Sequence, residues 1–153
     1  MKFAFLADPL DHFKTYKDTT YAMMVEAARR GHHIYAFQQK DMAFNAGAVT
    51  ANIARITLTG DAKDWYRAET PIAMQLSEFD AVMVRKDPPF NMEYVYLTYL
   101  LEIAEKQGAR IFNRPEAIRS HNEKLAIAQF AEFTSPTLVT SDAVRIRAFH
   151  QEH

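Results

Sequence analysis

Three apolar segments of this sequence each run into a polar residue and then a proline. Near-continuous apolar runs of this length are typical of strands that are covered on both faces of a parallel sheet. Proline ends such a strand because it has no backbone N–H and its φ angle is restricted. Since the carboxyl ends of parallel strands meet at one edge of a sheet, the polar ends are expected to lie side by side. The segments are 2–7, ending at Asp8-Pro9, 79–85, ending at Arg85 before Pro88-Pro89, and 109–112, ending at Asn113 before Pro115.

The segments between these strands carry the pattern of helices. From an N-cap at Asp18 or Thr19, apolar residues recur at helical spacing up to Gly31, and a second such pattern covers 91–107. Residues 32–38 predict a further strand. Alternating strands and helices predict an α/β fold of three layers, in which a mostly parallel, Rossmann-like sheet is flanked by helices. In such folds, ligands bind at the carboxyl ends of the strands.

The segment between residues 41 and 78 has a different character. From 41 to 60 the sequence is β-prone and contains Asn-Ala-Gly at 45–47, residues typical of a turn, which predicts a hairpin and a small antiparallel insertion. The stretch 61–78 is more polar and predicts a short helix and a loop. A packing role is expected for Trp65, which is the single tryptophan of the chain.

The last part of the sequence predicts helices and one more strand. One or two helices are expected over 115–133, entered through a proline that suits the first helical turn. A last strand is expected over 137–140. A helix then follows, with Ser141 or Asp142 as its N-cap.

Composition excludes several classes of partner and site. The 153 residues carry 18 basic and 19 acidic side chains, a net charge of -1, which offers no bulk attraction for the phosphate backbone of nucleic acid. No stretch reaches the about 18 apolar residues of a membrane span, and there is no cysteine for a disulfide scaffold, so we expect a soluble, cytoplasmic protein. The four glycines cannot form a P-loop or a dinucleotide-binding fingerprint, and the histidines predict no metal site.

Two polar clusters are candidates for binding an anion. Arg85 can offer its planar guanidinium to a carboxylate or a phosphate. Pairing with Asp87, or the capping of a helix, explains Arg85 equally well. Residues 17–20 lie at the predicted N-terminus of a helix, where unpaired backbone N–H groups favour an anion, although capping alone accounts for Asp18 and Thr19.

Five motifs follow one another along the chain and together resemble a known family. They are "DPL", "YKDTTYAMMVEAARRGH", "VRKDPPFNMEYVYLTYLLEIAE", "NRPEAIRSHNEKL" and "PTLVT". Each motif alone is weak, but the ordered set is similar to the N-terminal part of the bacterial glutathione synthetases, which are ATP-grasp ligases. The resemblance extends over nearly all of the chain.

This resemblance implies a chemistry as well as a fold. Enzymes of that family join γ-glutamylcysteine to glycine, using ATP and magnesium, by way of an acyl phosphate. Their first domain is a pre-ATP-grasp unit that forms one wall of the substrate cleft. The resemblance implies such a domain over 1–120 and the start of an ATP-grasp domain over 121–153.

The same resemblance implies roles for five residues. Lys124 corresponds to a family lysine that approaches the phosphates of ATP, whereas Lys17, Asp18, Thr19 and Arg85 correspond to the wall that meets the peptide substrate. No catalytic residue is assigned. Acyl and phosphoryl transfer need neutralisation of negative charge, for which one lysine without magnesium ligands is insufficient. The chain alone is therefore expected to be inactive and to bind no cofactor tightly.

Other hypotheses stay open at this point. The expected partners are γ-glutamylcysteine, glycine and ATP, and a homo-oligomer is conceivable. A second hypothesis is a non-catalytic binding or assembly module that stands alone on the same scaffold. A third, a cofactor-binding Rossmann domain, is disfavoured because the glycine fingerprint is missing.

Overall fold

The computed structural model describes residues 1–121 and 124–153. The chain divides into two compact units, Met1–Arg119 and Ser120–His153. Among the described residues, no helix combines the length and the apolar character that crossing a membrane requires.

The first unit contains one eight-stranded sheet and its flanking helices. The strands are β1 Lys2–Ala7, β2 His33–Phe37, β3 Met42–Asn45, β4 Ala48–Leu58, β5 Tyr66–Ala68, β6 Ile72–Gln75, β7 Ala81–Arg85 and β8 Ile111–Phe112. The α-helices are α1 Thr19–Arg29, α2 Met92–Lys106 and α3 Pro115–Ser120. Short 3-10 helices cover Leu10–His12, Gln39–Asp41 and Leu76–Glu78.

Four neighbouring strands, in the order β2, β1, β7 and β8, run parallel. Ala7 at the end of β1 lies opposite Arg85 at the end of β7, and the last residue of β8 lies opposite Met83. The residues that follow these strands therefore emerge at one edge of the sheet. The expectation that Asp8, Arg85 and Asn113 share an edge is confirmed.

The other part of the sheet is antiparallel and is organised by β4. This strand has 11 residues and pairs antiparallel with β2, β3, β5 and β6. The predicted hairpin turn is confirmed: Ala46 and Gly47 join β3 to β4 with φ angles of 50° and 83°, a backbone region that favours glycine. The antiparallel insertion is thus present, and it extends beyond residue 60.

The prediction of a short helix and a loop over 61–78 is wrong. This stretch forms β5, β6 and a 3-10 turn. The reason is the length of β4, which offers a hydrogen-bonding edge to two further strands, with Ile56 opposite Ala68 and Ile53 opposite Ile72. Pairing of this kind depends on a distant strand and overrides the local polar composition.

The packing role of Trp65 is confirmed. Its side chain is 4% exposed and lies in a cluster of aromatic rings. The ring centroids of Phe13, Tyr21 and Tyr66 lie 5.7, 5.1 and 4.6 Å from the indole. Distances of this size are those of attractive stacked and edge-on aromatic pairs. The indole therefore anchors the chain between β4 and β5 to the face of the sheet that α1 covers.

The sheet separates two apolar cores, one under α1 and one under α2. Because successive side chains of a strand point to opposite faces of the sheet, β1 contributes residues to both cores. Ala4 and Leu6 pack in the core with Leu101 of α2, whereas Phe5 packs in the core with Met24 of α1. Each fully buried side chain of the larger kind contributes roughly 1.5 to 3 kcal/mol. The resulting order of helix, sheet and helix confirms the three-layer α/β class.

Side-chain caps determine where the two long helices begin. The carboxylate of Asp18 accepts hydrogen bonds from the backbone N–H groups of Thr20 and Tyr21, at 2.7 and 3.0 Å. Asn91 accepts one from Tyr94 at 3.0 Å and so begins α2. These bonds satisfy amide groups that have no partner within the helix. The prediction of Asp18 as N-cap is confirmed.

The second unit holds a 3-10 segment, Ala126–Phe133, and a helix α4, Ala143–Glu152. Asp142 caps α4 by accepting a hydrogen bond from a backbone N–H at 2.8 Å, as predicted. The expected strand over 137–140 is wrong, because that segment is irregular and Val139 is 67% exposed. A strand needs a hydrogen-bonded neighbour, and the described part of this unit offers none.

Candidate functional site

A cavity of about 420 Å³ opens where the carboxyl ends of β1 and β7 meet the N-terminus of α1. Parallel α/β sheets bind their ligands at this edge. The lining of the cavity is strongly charged, with cations and carboxylates side by side. Its charged members include Asp8, Lys14, Lys17, Asp18, Arg85 and Asp87.

Arg85 is held in a defined direction at the wall of this cavity. Its Nε donates a hydrogen bond to the hydroxyl of Thr20 at 3.1 Å, and its Nη2 donates one to the hydroxyl of Thr19 at 2.7 Å. Hydroxyl groups orient the guanidinium but do not neutralise its charge. Within residues 1–121 and 124–153, no carboxylate forms an ion pair with Arg85. The alternative of a pair with Asp87 is therefore not what the structure shows.

Arg85 lies beside the start of α1, where Asp18 already accepts hydrogen bonds from the backbone N–H groups of Thr20 and Tyr21. The positive end of the helix is therefore offset by Asp18, and the charge left for a ligand is that of the guanidinium. An oriented guanidinium at that place suits a carboxylate or phosphate of a ligand in the cavity.

Asp18 and Lys17 line the same cavity but differ in what they already contact. Asp18 uses one carboxylate oxygen to cap α1. The ammonium of Lys17 lies 5.9 Å from the centre of the Tyr16 ring, which is itself 81% exposed. Capping of α1 thus explains one oxygen of the Asp18 carboxylate, whereas Lys17 lines the cavity with an exposed side chain.

The segment that leaves β7 is clamped from two sides. Lys86 Nζ forms an ion pair with Asp8 Oδ1 at 2.7 Å and donates to the carbonyl of Asp87 at 2.8 Å. Asp8 Oδ2 accepts the backbone N–H of Asp87 at 2.9 Å. The hydroxyl of Tyr94 donates to the carbonyl of Lys86 at 3.0 Å, and burial raises the pKa of this phenol, so it stays a donor. These contacts fix the backbone on which Arg85 and Asp87 stand.

The structure brings four of the five predicted site residues together. Lys17, Asp18, Thr19 and Arg85 line one cavity. Lys124 belongs to the second unit, where it lies in a turn before the 3-10 segment. The ligands of all five residues remain predictions.

Two residues of the site are absent from the sequence-based assignment. Thr20 orients Arg85, although the two residues stand 65 positions apart. Asp8 was expected at this edge, but its pairing with Lys86 was not. The sequence signal for Asp8 was a polar residue at the end of a predicted strand. This signal places the polar ends of the strands at one edge of the sheet, but it does not indicate which side chains form hydrogen bonds or ion pairs.

A second, smaller cavity of about 170 Å³ lies on the other side of Asp8, towards the antiparallel strands. Its lining includes Asp11, Asp41 and Tyr66. The Tyr66 hydroxyl donates to Asp11 Oδ1 at 2.6 Å. In the part of the chain that the structure describes, no group of three or more acidic or histidine side chains is arranged to hold a metal ion.

The Tyr66 phenol is expected to ionise at an unusually high pH. Its hydrogen bond to Asp11, with burial and the carboxylate's charge, raises the pKa of Tyr66 from 10.0 to about 12. Because the folded state holds this proton more tightly than the unfolded state, the contact stabilises the fold below pH about 10 and its contribution is lost as the pH rises towards about 12. Asp11→Asn should return the ionisation towards pH 10, seen as tyrosinate absorbance relative to a Tyr66→Phe protein. An unchanged ionisation curve would contradict the contact.

Comparison with known proteins identifies the family. Residues 1–119 match the family described as prokaryotic glutathione synthetase, N-terminal domain. The chain belongs to the prokaryotic glutathione synthetase family. A glutathione synthetase of Ralstonia nicotianae is 58% identical over 152 residues, which are 99% of this chain and 47% of that protein. Glutathione synthetases of Nitrosomonas europaea and Neisseria meningitidis serogroup B are 51% and 46% identical, and each match covers 100% of this chain and 49% of the relative.

The chain spans about half the length of the glutathione synthetases it matches. A solved structure, of the ATP-grasp ligase PsnB with a minimal precursor, covers 98% of this chain and 50% of its own at 20% identity and a TM-score of 0.46. A likeness of that size is too low to indicate a shared function. The family match also spans the whole of the first compact unit, and with it the Arg85 cavity.

Proposed function

We propose that this chain is the N-terminal half of a glutathione synthetase and that its Arg85 cavity is one wall of the γ-glutamylcysteine site. The observation that carries the proposal is the Arg85 guanidinium, which two threonine hydroxyls hold in the lining of a 420 Å³ cavity and which no described carboxylate neutralises. Family membership supplies the reaction, an ATP-dependent ligation of the dipeptide to glycine.

The chemistry of the cavity suits this substrate. A γ-glutamyl peptide carries two carboxylates and one ammonium, so it needs cations and an anion within one pocket. The cavity is lined by the cations Lys14, Lys17 and Arg85 and by three aspartates, of which Asp8 and Asp18 also bond to neighbouring groups of the protein. Its volume lies within the range of small-molecule sites. These side chains bind and orient the dipeptide, and positioning of this kind accounts for a large part of catalysis by ligases that work through phosphorylated intermediates.

ATP and magnesium belong to the whole enzyme in this proposal. Lys124 would meet the phosphates of ATP, and its ammonium is of the type that binds phosphate as a point charge. The described residues contain no cluster of carboxylates that fits magnesium, so the ion's ligands are assigned to the ATP-grasp domain. When bound, ATP activates the carboxylate of the dipeptide as an acyl phosphate. A cytoplasmic location and a homo-oligomeric state stay predictions.

The 153-residue chain is expected to bind ATP with a dissociation constant in the millimolar range or weaker. One lysine contributes about 1.5 to 3 kcal/mol through charge-assisted contacts, which is less than the roughly 4 kcal/mol of millimolar binding. Isothermal titration calorimetry with ATP and with NAD measures this. Micromolar binding of ATP would contradict the proposed division of roles, and tight binding of NAD would indicate a dinucleotide-binding domain instead.

A fusion protein tests the proposed function itself. Residues 1–153 are joined to the remaining C-terminal part of the Ralstonia glutathione synthetase, whose matching half is 58% identical. The fusion is expected to form glutathione from γ-glutamylcysteine, glycine and ATP. The C-terminal part alone serves as the control and is expected to form none. A folded fusion that makes no glutathione would contradict the proposal.

A further inference from the structure

Two opposite charges face the Arg85 cavity without neutralising each other. Arg85 and Asp87 are two residues apart, and both line the cavity. Arg85 is turned towards Thr19 and Thr20. No hydrogen bond or ion pair from residues 1–121 or 124–153 engages the Asp87 carboxylate, although its backbone N–H and carbonyl are both bonded. Oppositely charged neighbours that line one cavity without pairing suit a ligand that carries both charges.

The other two aspartates of the cavity are already engaged. Asp8 uses both carboxylate oxygens, one for the ammonium of Lys86 and one for a backbone N–H. Asp18 caps α1, and the positive end of that helix already offsets its charge. Asp87 is therefore the carboxylate of this cavity whose charge is left for a ligand.

The clamp on the exit segment explains why Lys86 does not neutralise Asp87. The Lys86 ammonium lies between Asp8 Oδ1 and the carbonyl of Asp87, at 2.7 and 2.8 Å. Its charge is thus matched by Asp8. The same contacts hold the backbone of Asp87 in place, so the carboxylate stands on a fixed support beside Arg85.

We infer that Asp87 determines specificity for a free α-amino group, by accepting hydrogen bonds from the ammonium of the γ-glutamyl residue while Arg85 binds the adjacent α-carboxylate. Arg85 ends β7, and Asp87 is restricted to extended backbone because it precedes Pro88, so their side chains are expected to stand about 7 Å apart, a spacing that an amino acid head group can bridge. The inference rests on the proposed function and adds to it the end of the dipeptide that this wall recognises. The ligand class is an α-amino acid head group with both charges present.

The test compares γ-glutamylcysteine with glutarylcysteine, which has the same skeleton without the α-amino group. Each is titrated into the ¹⁵N-labelled 153-residue chain, and the dissociation constant is taken from the shifts of backbone amide signals. The unaltered chain should bind γ-glutamylcysteine about tenfold more tightly, as expected for a charge-assisted hydrogen bond. Asp87→Asn should reduce this ratio to about one, because the amide cannot balance the ammonium charge.

Glu93→Gln is the matched control, because it removes one negative charge from an exposed position outside the cavity. Its preference between the two peptides should equal that of the unaltered chain. Equal binding of both peptides by the unaltered chain, or a preference that survives Asp87→Asn, would overturn the inference and leave the proposed function standing. Binding of neither peptide would overturn the inference and the assignment of this cavity to the dipeptide, whereas the ligase activity is tested separately by the fusion protein.

Discussion

Replacing Arg85 by methionine is expected to lower kcat/KM for γ-glutamylcysteine by about 100-fold in the fusion with the Ralstonia C-terminal part. Methionine keeps an unbranched apolar stem but removes the guanidinium that Thr19 and Thr20 hold in the lining of the cavity. Loss of one partner from a partly buried charge pair costs roughly 2 to 3 kcal/mol, which corresponds to a factor of this size. Steady-state rates of glutathione formation at varied dipeptide concentration measure it.

Two further variants make this result specific. Arg67→Met removes an exposed arginine that pairs with Asp64 at 2.6 Å, outside the cavity, and should leave the rate unchanged. Arg85→Lys keeps the charge but loses the planar fork, so its rate should fall between those of the unaltered protein and Arg85→Met. If the Arg85→Met fusion folds and keeps the kcat/KM of the unaltered fusion, Arg85 does not bind the dipeptide and the prediction is wrong.

Replacing Trp65 by alanine is expected to lower the free energy of unfolding of the first unit by about 3 to 5 kcal/mol. The indole is 4% exposed and lies between the rings of Phe13, Tyr21 and Tyr66. Its removal leaves a cavity that these rings cannot fill without leaving their own contacts. Because the only tryptophan is lost, urea denaturation is followed by circular dichroism rather than by fluorescence.

Tyr16→Ala is the matched control for the stability measurement. Tyr16 is also aromatic and belongs to the same unit, but it is 81% exposed. Its replacement should change the free energy of unfolding by no more than about 0.5 kcal/mol. If both variants lowered the free energy of unfolding by the same amount, the packing of Trp65 against its neighbouring rings would not stabilise the first unit as predicted.

The parallel strands and their polar ends are predictable because their signals are local. An apolar run of four to seven residues and a proline indicate where each of these strands ends, whatever the rest of the chain does. Asp8, Arg85 and Asn113 could therefore be placed at one edge from the sequence. The caps at Asp18 and Asp142 are predictable for the same reason, since each bonds to amides two or three positions away.

The short strands β5 and β6 are not predictable in this way. Each has three or four residues, most of them exposed, so neither shows the alternation of buried and exposed side chains that indicates a strand. They exist because β4 provides an edge for them. The segment 137–140 is the opposite case, in which a strand-like composition finds no neighbour to pair with.

The sequence also could not predict which polar side chains of the Arg85 cavity contact one another. Arg85 could have paired with Asp87, which is two residues away, or with a group elsewhere in the chain. In the structure, Arg85 donates to the hydroxyls of Thr19 and Thr20, which are 66 and 65 positions away. Asp8 forms its ion pair with Lys86. Competition between several nearby charges depends on distances of a few ångströms, which residue spacing does not determine.

The most direct test of the account is a map of where γ-glutamylcysteine binds on the 153-residue chain. The amide signals of the ¹⁵N-labelled chain are assigned and followed during titration, together with the Nε–H signal of Arg85. If the Arg85 cavity holds the dipeptide, the signals of Thr19, Thr20, Asp87 and the Arg85 side chain move together and give one dissociation constant. Shifts confined to the apolar groove beside α1, around Phe3, Met23 and Met83, with the Arg85 signal unmoved, would contradict it.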